Sequence, residues 1–421
     1  MPLIFLLLIP FVKSVSALLQ KALIQRILPA ILFTSLPIFA QASFSTKTDF
    51  STGEGPISIA VADFNEDGKP DIAVANYKSN TVSIFLNTTV PGSASPSFSS
   101  KTDLTTGERP MSLSIGDFNG DGKPDIAVAN YNSNTVSLLL NTTSPGAVTP
   151  TFSKKIDFPT GERPICVSIA DFNGDGKPDL AVVNYKSSTV SVFLNTTVHG
   201  AAAPTFSAKI DLAAGSHPVS ISIGDLNADG KPDLAVANYR SNTVSIFLNT
   251  TALDATAPSF STMADVATGD RPMSVSIGDL NGDGKPDLAV ANYGSNTVSV
   301  LLNTTSQGAM IPSFSMKTDL IAGTNPQFVC LVDVDGDKRP DIVAANYNGG
   351  TLSVFLNTTV QGCSTPSFSI KKDFITGTAP SSVSAGDFAG RARPDLSVAN
   401  YGSNTISVFL NSTSLRHPAP Q

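Results

Sequence analysis

The 421-residue chain predicts an all-β protein, a seven-bladed propeller with four antiparallel strands per blade, and three observations carry that prediction. One motif recurs with a period of 54: its anchor aspartate stands at Asp63, Asp117, Asp171, Asp225, Asp279, Asp333 and Asp387, and residues 44–421 number 378, seven such periods. All seven tyrosines share that register, at Tyr77, Tyr131, Tyr185, Tyr239, Tyr293, Tyr347 and Tyr401. Within each repeat the apolar residues follow strand spacing rather than helical spacing. Four short antiparallel strands favour a propeller over a β-solenoid, whose repeats are shorter and whose strands are parallel.

Taken in order, Ile57–Val61 alternates at period two and forms the first strand. A polar loop from Asp63 to Asp71 follows, then the short apolar strand Ile72–Ala75 and a turn at Lys78–Asn80. Thr81–Leu86 is the third strand, Asn87–Ser97 a longer loop, and Phe98–Leu104 the fourth strand, before Thr106–Pro110 turns into the next repeat. The phase leaves the last repeat short of its fourth strand and the N-terminus with one to spare. Strand 44–50 is therefore expected to pair beside 405–410 and close the ring, satisfying an otherwise open edge.

Residues 1–42 carry no Asp or Glu and only Lys13, Lys21 and Arg26 as charges. Their apolar runs, Leu3–Val12 and Ile27–Phe39, are shorter than the ~20 residues that span a bilayer. The second follows basic residues and ends in Ala40-Gln41-Ala42, the order of a secretory signal cleaved after Ala42. An uncleaved leader would be the one route to a membrane. The expectation is a leader over 1–42 and a propeller over 43–421, secreted or held at the cell surface.

The loop after the first strand reads Asp63-Phe-Asn65-Glu-Asp67-Gly68-Lys69-Pro-Asp71. Side-chain oxygens at positions 1, 3, 5 and 9, a backbone carbonyl at position 7 and a Gly for the tight turn suit a hard cation, and Ca²⁺ is expected. Val74 stands where an EF-hand carries Glu, and a strand follows, which excludes a helix–loop–helix. The set recurs at Asp117, Asn119, Asp121, Lys123 and Asp125, and at Asp171, Asn173, Asp175, Lys177 and Asp179. It recurs again at Asp225, Asn227, Asp229, Lys231 and Asp233, and at Asp279, Asn281, Asp283, Lys285 and Asp287. The position-7 side chains are expected to point to solvent.

The sixth loop offers Asp333, Asp335, Asp337, Arg339 and Asp341, with Lys338 where Gly stood, and is expected to bind still. In the seventh, Ala389 and Arg391 replace positions 3 and 5, and the Arg391 guanidinium is expected to pair with Asp387 and Asp395 as a built-in cation. About six Ca²⁺ sites of structural role are thus expected. The formal charge of −7 becomes −10 without the leader's three basic residues, and six Ca²⁺ would bring it to +2.

The D-x-N-x-D-G-x-x-D loop followed by Leu/Ile-Ala-Val resembles the FG-GAP/VCBS calcium-binding propeller repeats, related to the propeller of integrin α subunits. The resemblance covers 44–421 and implies a secreted or surface-exposed seven-bladed propeller with Ca²⁺ in its inter-strand loops. The flanking letters depart from the family's, with Ile115-Gly-Asp117 at the end of a first strand and Ala-Asn-Tyr after the second. The fold hosts adhesion, lectin and enzyme functions alike, so no ligand follows from it.

The loops carrying the cation motif and the long loops emerge on one face, and the tyrosine turns and inter-repeat turns on the other. The second face varies between repeats, with Arg109, Arg163, His217 and Arg271 on inter-repeat turns and Lys78, Lys186 and Arg240 after tyrosines, while the last two repeats carry no such charge. A ligand, an extracellular protein or a glycan, would be read by this uneven rim and by Tyr77, Tyr131, Tyr185, Tyr239 and Tyr293. Identity of the tyrosine in all seven copies is what packing between blades demands; the sharper alternative is aromatic rings lining a sugar site.

Seven N-x-S/T sequons, from Asn87 to Asn411, read as turn residues or, in a eukaryotic secretory pathway, glycosylation acceptors. Negative charge argues against nucleic acid. Three His and three Cys with no triad spacing argue against catalysis and a disulfide scaffold. The expected function is a binding or adhesion module, read as a monomer; a lectin is the first alternative and a polysaccharide-active enzyme the second.

Overall fold

The computed structural model describes residues 41–414. The predicted leader lies outside these residues except for Gln41 and Ala42. Within them, seven four-stranded antiparallel sheets form a ring, the predicted seven-bladed propeller. Blade 1 runs from an innermost strand, Pro56–Ala62, through Asp71–Asn76 and Thr81–Phe85 to an outermost strand, Thr102–Thr105. Blade 7 takes Pro380–Gly386, Asp395–Asn400 and Thr405–Phe409 from one end of the chain and Thr48–Ser51 from the other. Thr48 pairs with Val408 and Ser51 with Thr405, so the ring closes as the phase of the repeat predicts.

The outermost strand is shorter than the expected 98–104. Phe98 makes only an isolated bridge to Asn87, and its ring turns inward against Phe50 and Phe388, at centroid distances of 5.1 and 5.7 Å. Packing the aromatic between blades takes precedence over extending the ladder.

The second strand, Asp71–Asn76, is buried on both faces, so its alternation is one of size rather than polarity. Ile72 and Val74 pack toward blade 7 with Ile406 and Val408, while Ala73 and Ala75 pack toward blade 2 with Ile126 and Val128. Large residues of one blade meet small ones of the next, which lets the sheets approach without voids. Full burial of each Val or Ile stabilises by about 1.5–3 kcal/mol.

Each innermost strand opens with a β-bulge, between Pro56 and Ser58 in blade 1 and at the matching place in the other six. A bulge re-aims the extra side chain. Here that residue is Ile57, Met111, Ile165, Val219, Met273 or Gln327 in blades 1–6, and all six line the central cavity.

A polar relay crosses each sheet. Asn76 Nδ2 donates to Ser83 Oγ at 2.8 Å, and Ser83 donates to Asp103 Oδ1 at 2.6 Å. In the closing strand Asp49 accepts from Ser407 at 2.6 Å, so the N-terminal strand fills the same polar role as the six others.

Candidate cation loops and the tyrosine funnel

The first five cation-motif loops share one preformed geometry. Asp63 accepts the backbone N–H groups of Asp67 and Gly68, at 3.1 and 2.7 Å, and Asp67 accepts that of Lys69 at 3.0 Å. Asp71 is fully buried and accepts N–H groups from Phe64 and Asn87, at 2.8 and 2.7 Å, tying the loop to the end of the third strand. Gly68 sits at φ +81, a left-handed conformation that Gly adopts without strain. Lys338 holds the equivalent place in the sixth loop at φ +69, at a cost of about 1–2 kcal/mol.

Burial pushes the position-9 carboxyls well above the ordinary 3.8: Asp71 and Asp125 to about 7, Asp179, Asp233 and Asp287 to about 6, and Asp341 to about 8. Backbone N–H bonds oppose the rise, and neighbouring loop carboxylates add to it. Such a carboxylate gains from a nearby cation. Two further features fit one. In the first loop Asn65 Oδ1 is buried with no hydrogen-bond partner, whereas Asn119, Asn173, Asn227 and Asn281 accept the position-5 N–H of their own loops. In the sixth loop, Asp333, Asp335 and Asp341 bring carboxylate oxygens within 4.8 Å of one another, the one such acidic triplet among the described residues.

The position-7 side chains do not all run to solvent as expected. Lys123, Lys231 and Lys285 reach back to the carbonyls of Thr143, Thr251 and Thr305, at 2.7, 2.7 and 2.9 Å, and Arg339 reaches Thr359 at 3.3 Å. A long flexible stem lets the charged head find a carbonyl on the adjoining long loop. Lys177 instead lies 3.9 Å from Asp175. In the seventh loop Arg391 reaches Asp395 at 3.5 Å, while Asp387 accepts the backbone N–H groups of Arg391 and Ala392. Burial raises the Asp395 pKa, with the Asn411 backbone bond and the Arg391 charge opposing it.

Position 3 also holds neighbouring blades together. Asn65 Nδ2 donates to the carbonyl of Ala147 in the next blade's long loop, and Asn119, Asn173, Asn227 and Asn281 repeat the bond to Ala201, Ala255, Ala309 and Cys363. An amide both donates there and offers an oxygen to the loop, as a carboxylate cannot, a reason for Asn that spacing alone does not reveal. Blade 6 precedes the blade whose long loop is interrupted by the chain ends, and its position 3 is Asp335. The sequon asparagines are buried: Asn141 Nδ2 donates to Phe64 of the preceding blade and its Oδ1 accepts from Thr143.

On the opposite face all seven tyrosines, the five named as candidates together with Tyr347 and Tyr401, line one cavity of about 460 Å³. Tyr77 and Tyr347 each lie 6.2 Å from Tyr401, and Tyr131 lies 6.5 Å from Tyr185. The rings thus pack on neighbouring blades and at the same time encircle the channel, which a choice between those two readings misses. Asn130 Oδ1 accepts from Gly107 at 3.0 Å, capping the inter-blade turn. Asn80, at φ +57, accepts from Arg109 N at 2.8 Å and sets the next blade's turn, a role that sequence reasoning did not assign.

That turn carries the variable rim. Arg109, Arg163, His217 and Arg271 adopt φ of 55, 57, 56 and 54, left-handed backbone that costs a non-Gly residue about 1 kcal/mol or more. Gly55 fills the same position in blade 1 and Asn325 in blade 6. The three arginines lie over Tyr77, Tyr131 and Tyr239 at 5.4, 5.3 and 5.9 Å, and Lys78 lies over Tyr401 at 4.7 Å. His217 meets Tyr185 edge-on at 4.7 Å. Burial lowers the His217 pKa, with the charge of Arg240 second.

The solved structures most like this chain include the Chaetomium thermophilum Polycomb Repressive Complex 2 bound to GSK126, with TM-score 0.59, 10% identity, and 88% of this chain and 99% of that one covered. BBS1N in complex with ARL6DN gives 0.57 at 12% identity, over 89% and 100%. A catalytically inactive virginiamycin B lyase from Staphylococcus aureus with quinupristin gives 0.53 at 11%, over 87% and 99%. At such identity these likenesses concern the fold alone. No curated protein matches the sequence. The family model described as FG-GAP-like repeat matches seven times, over 40–74, 63–128, 117–182, 171–236, 225–290, 279–344 and 333–398, in the register of the anchor aspartates. The chain belongs to the FG-GAP-like repeat family.

Proposed function

We propose that the protein is an exported binding or adhesion module, braced by Ca²⁺ in six blade loops, that engages an extracellular protein or glycan through its tyrosine face. The observation that carries the proposal is the convergence of seven tyrosines on one cavity beneath a rim that differs from blade to blade. A common scaffold with a varied rim suits recognition of a single asymmetric ligand.

Ca²⁺ would be held by the carboxylates at positions 1, 5 and 9, by Asn65 and its counterparts, or Asp335, at position 3, and by the position-7 carbonyl. When bound, it supplies the positive charge that the buried carboxylates lack. The chain's own residues then do the rest: position 3 seats the next blade's loop, and Arg391 takes the cation's place in the seventh. Export is supported by the order of basic, apolar and small residues in 1–42.

A lectin is the second reading, favoured by the encircling rings, since aromatic faces pack against sugars. A non-catalytic role is preferred because the channel beneath the rings is lined mainly by aliphatic and Ser side chains, with no acid or base among the described residues, and burial raises the pKa of its one thiol, Cys166. Binding to a glycan array and to extracellular proteins should be compared for the native chain and a Tyr131→Ser/Tyr239→Ser variant. Loss of binding is expected from a variant that keeps the circular-dichroism spectrum and cooperative unfolding of the native propeller, with a lower melting temperature from the lost ring packing. Binding that survives would move the ligand off this face.

A further inference from the structure

We propose that the tyrosine funnel takes a small amphipathic carboxylate, its apolar body in the cavity and its carboxylate held at the rim by Arg109, Arg163 and Arg271. The inference rests on the reading of this face as the ligand face and names a class of ligand other than the protein or glycan given there. The bulge residues Ile57, Met111, Ile165, Val219 and Met273, joined by the polar Gln327, give the funnel a mainly aliphatic floor below a belt of tyrosines. Its volume of about 460 Å³ lies within the range of small-molecule sites. A ligand rich in hydroxyls would find Gln327 as the one polar side chain on that floor and leave most of its hydroxyls there unmet.

The rim specifies charge. Six cations, Lys78, Arg109, Arg163, Lys186, Arg240 and Arg271, share the turns with four acids, Glu54, Glu108, Glu162 and Asp270. Among the described residues one ion pair forms there, Lys186 with Glu162 at 2.8 Å. The guanidiniums of Arg109, Arg163 and Arg271 make no carboxylate pair among the described residues and lie instead on tyrosine faces. A cationic guest would meet these groups, and Lys78, already over the rings. A carboxylate would find planar donors that match it in two-pronged geometry.

The left-handed turn position itself is common to all seven blades, held by Gly55, His217, Asn325 and Ala379 as well as by the three arginines, so the blades differ there only in the side chain they present.

The chain has no Trp, and all seven Tyr lie in the funnel, so tyrosine emission reports this site alone. Octanoate, its neutral amide octanamide and the polar anion glucuronate should be titrated against that emission. Octanoate is expected to give a saturable change, with the other two at least about tenfold weaker. An Arg109→Asn/Arg163→Asn/Arg271→Asn variant is expected to weaken octanoate about tenfold and leave octanamide unchanged. Asn is chosen because blade 6 carries it at φ 54 in the same turn, and an unaltered melting temperature confirms folding. Octanamide equal to octanoate, undiminished octanoate binding by the variant, or no saturable response to octanoate would each overturn the proposal. A response to glucuronate or octanamide without one to octanoate leaves this face a ligand site and refutes only the class; failure of the face itself is read from the Tyr131→Ser/Tyr239→Ser comparison.

Discussion

The backbone N–H of Gly146 donates to the carbonyl of Asn65 at 2.6 Å, joining the long loop of blade 2 to the candidate cation loop of blade 1. Asn65 answers with its side chain, donating to Ala147 at 3.0 Å. The candidate metal loop is therefore also a blade–blade joint, and what loosens one loosens the other.

Asn65→Asp separates the two roles. The added carboxylate favours a cation, but it cannot donate to Ala147. In chelator the variant should lose about 1–3 kcal/mol in urea unfolding, from the unmet carbonyl and the extra negative charge. In Ca²⁺ the loss should shrink or vanish. Equal losses in both conditions would show that the loop gains nothing from the ion.

Asn249 is buried, donates to Phe172 of the preceding blade at 2.9 Å and accepts from Thr251. Asn249→Ala should cost about 2–4 kcal/mol, since both partners stay buried and unmet. Denaturant unfolding checks this, and a loss below 1 kcal/mol would mean that water replaces the amide.

The buried position-9 carboxyls set a pH dependence whose direction the cation reverses. Asp71, Asp125, Asp179, Asp233, Asp287 and Asp341 have folded values of about 6 to 8, raised above an unfolded 3.8. A raised carboxyl contributes stability that is full below the unfolded value and is lost as pH rises through the folded one. In chelator the melting temperature should therefore be higher at about pH 5.5 than at about pH 8.5. In Ca²⁺ the order should invert, because protons then compete with the ion.

The architecture was legible because 54-residue identity fixes strand number, register phase and closure at once, down to the pairing of Thr48–Ser51 with Thr405–Phe409. The strand-start bulges were not, since no residue type marks them: Ile57, Met111 and Gln327 stand at equivalent places. Nor was the donor role of Asn65, because its partner, Ala147, lies in another blade and contributes only a carbonyl. The tyrosine register was visible, but whether the rings faced the channel or the neighbouring blade depended on turn geometry set by Asn80 and its counterparts. In each case a backbone group or a positive φ decides, and neither leaves a side-chain signature.

Arg391 reaches Asp395 at 3.5 Å, and its guanidinium Nε is buried without a partner. Arg391→Ala should cost about 1–2 kcal/mol, a partly exposed pair being worth less than a buried one. Added Ca²⁺ should not restore the loss, since Ala389 leaves the loop without its position-3 oxygen. Full rescue by Ca²⁺ would make the seventh loop a cation site.

Thermal unfolding of residues 43–421, the chain expected after cleavage of the leader, in Ca²⁺ and then in excess chelator bears most directly on the proposed bracing. A ligand bound only by the native state contributes about 2.7 kcal/mol per site at a hundredfold excess over Kd, so six sites should shift the melting temperature by about 10 °C or more. A metal count should accompany the scan. A fall of that size, with about six Ca²⁺ per chain before chelation, is the predicted result. An unchanged melting temperature in a chain that carries no Ca²⁺ would contradict it.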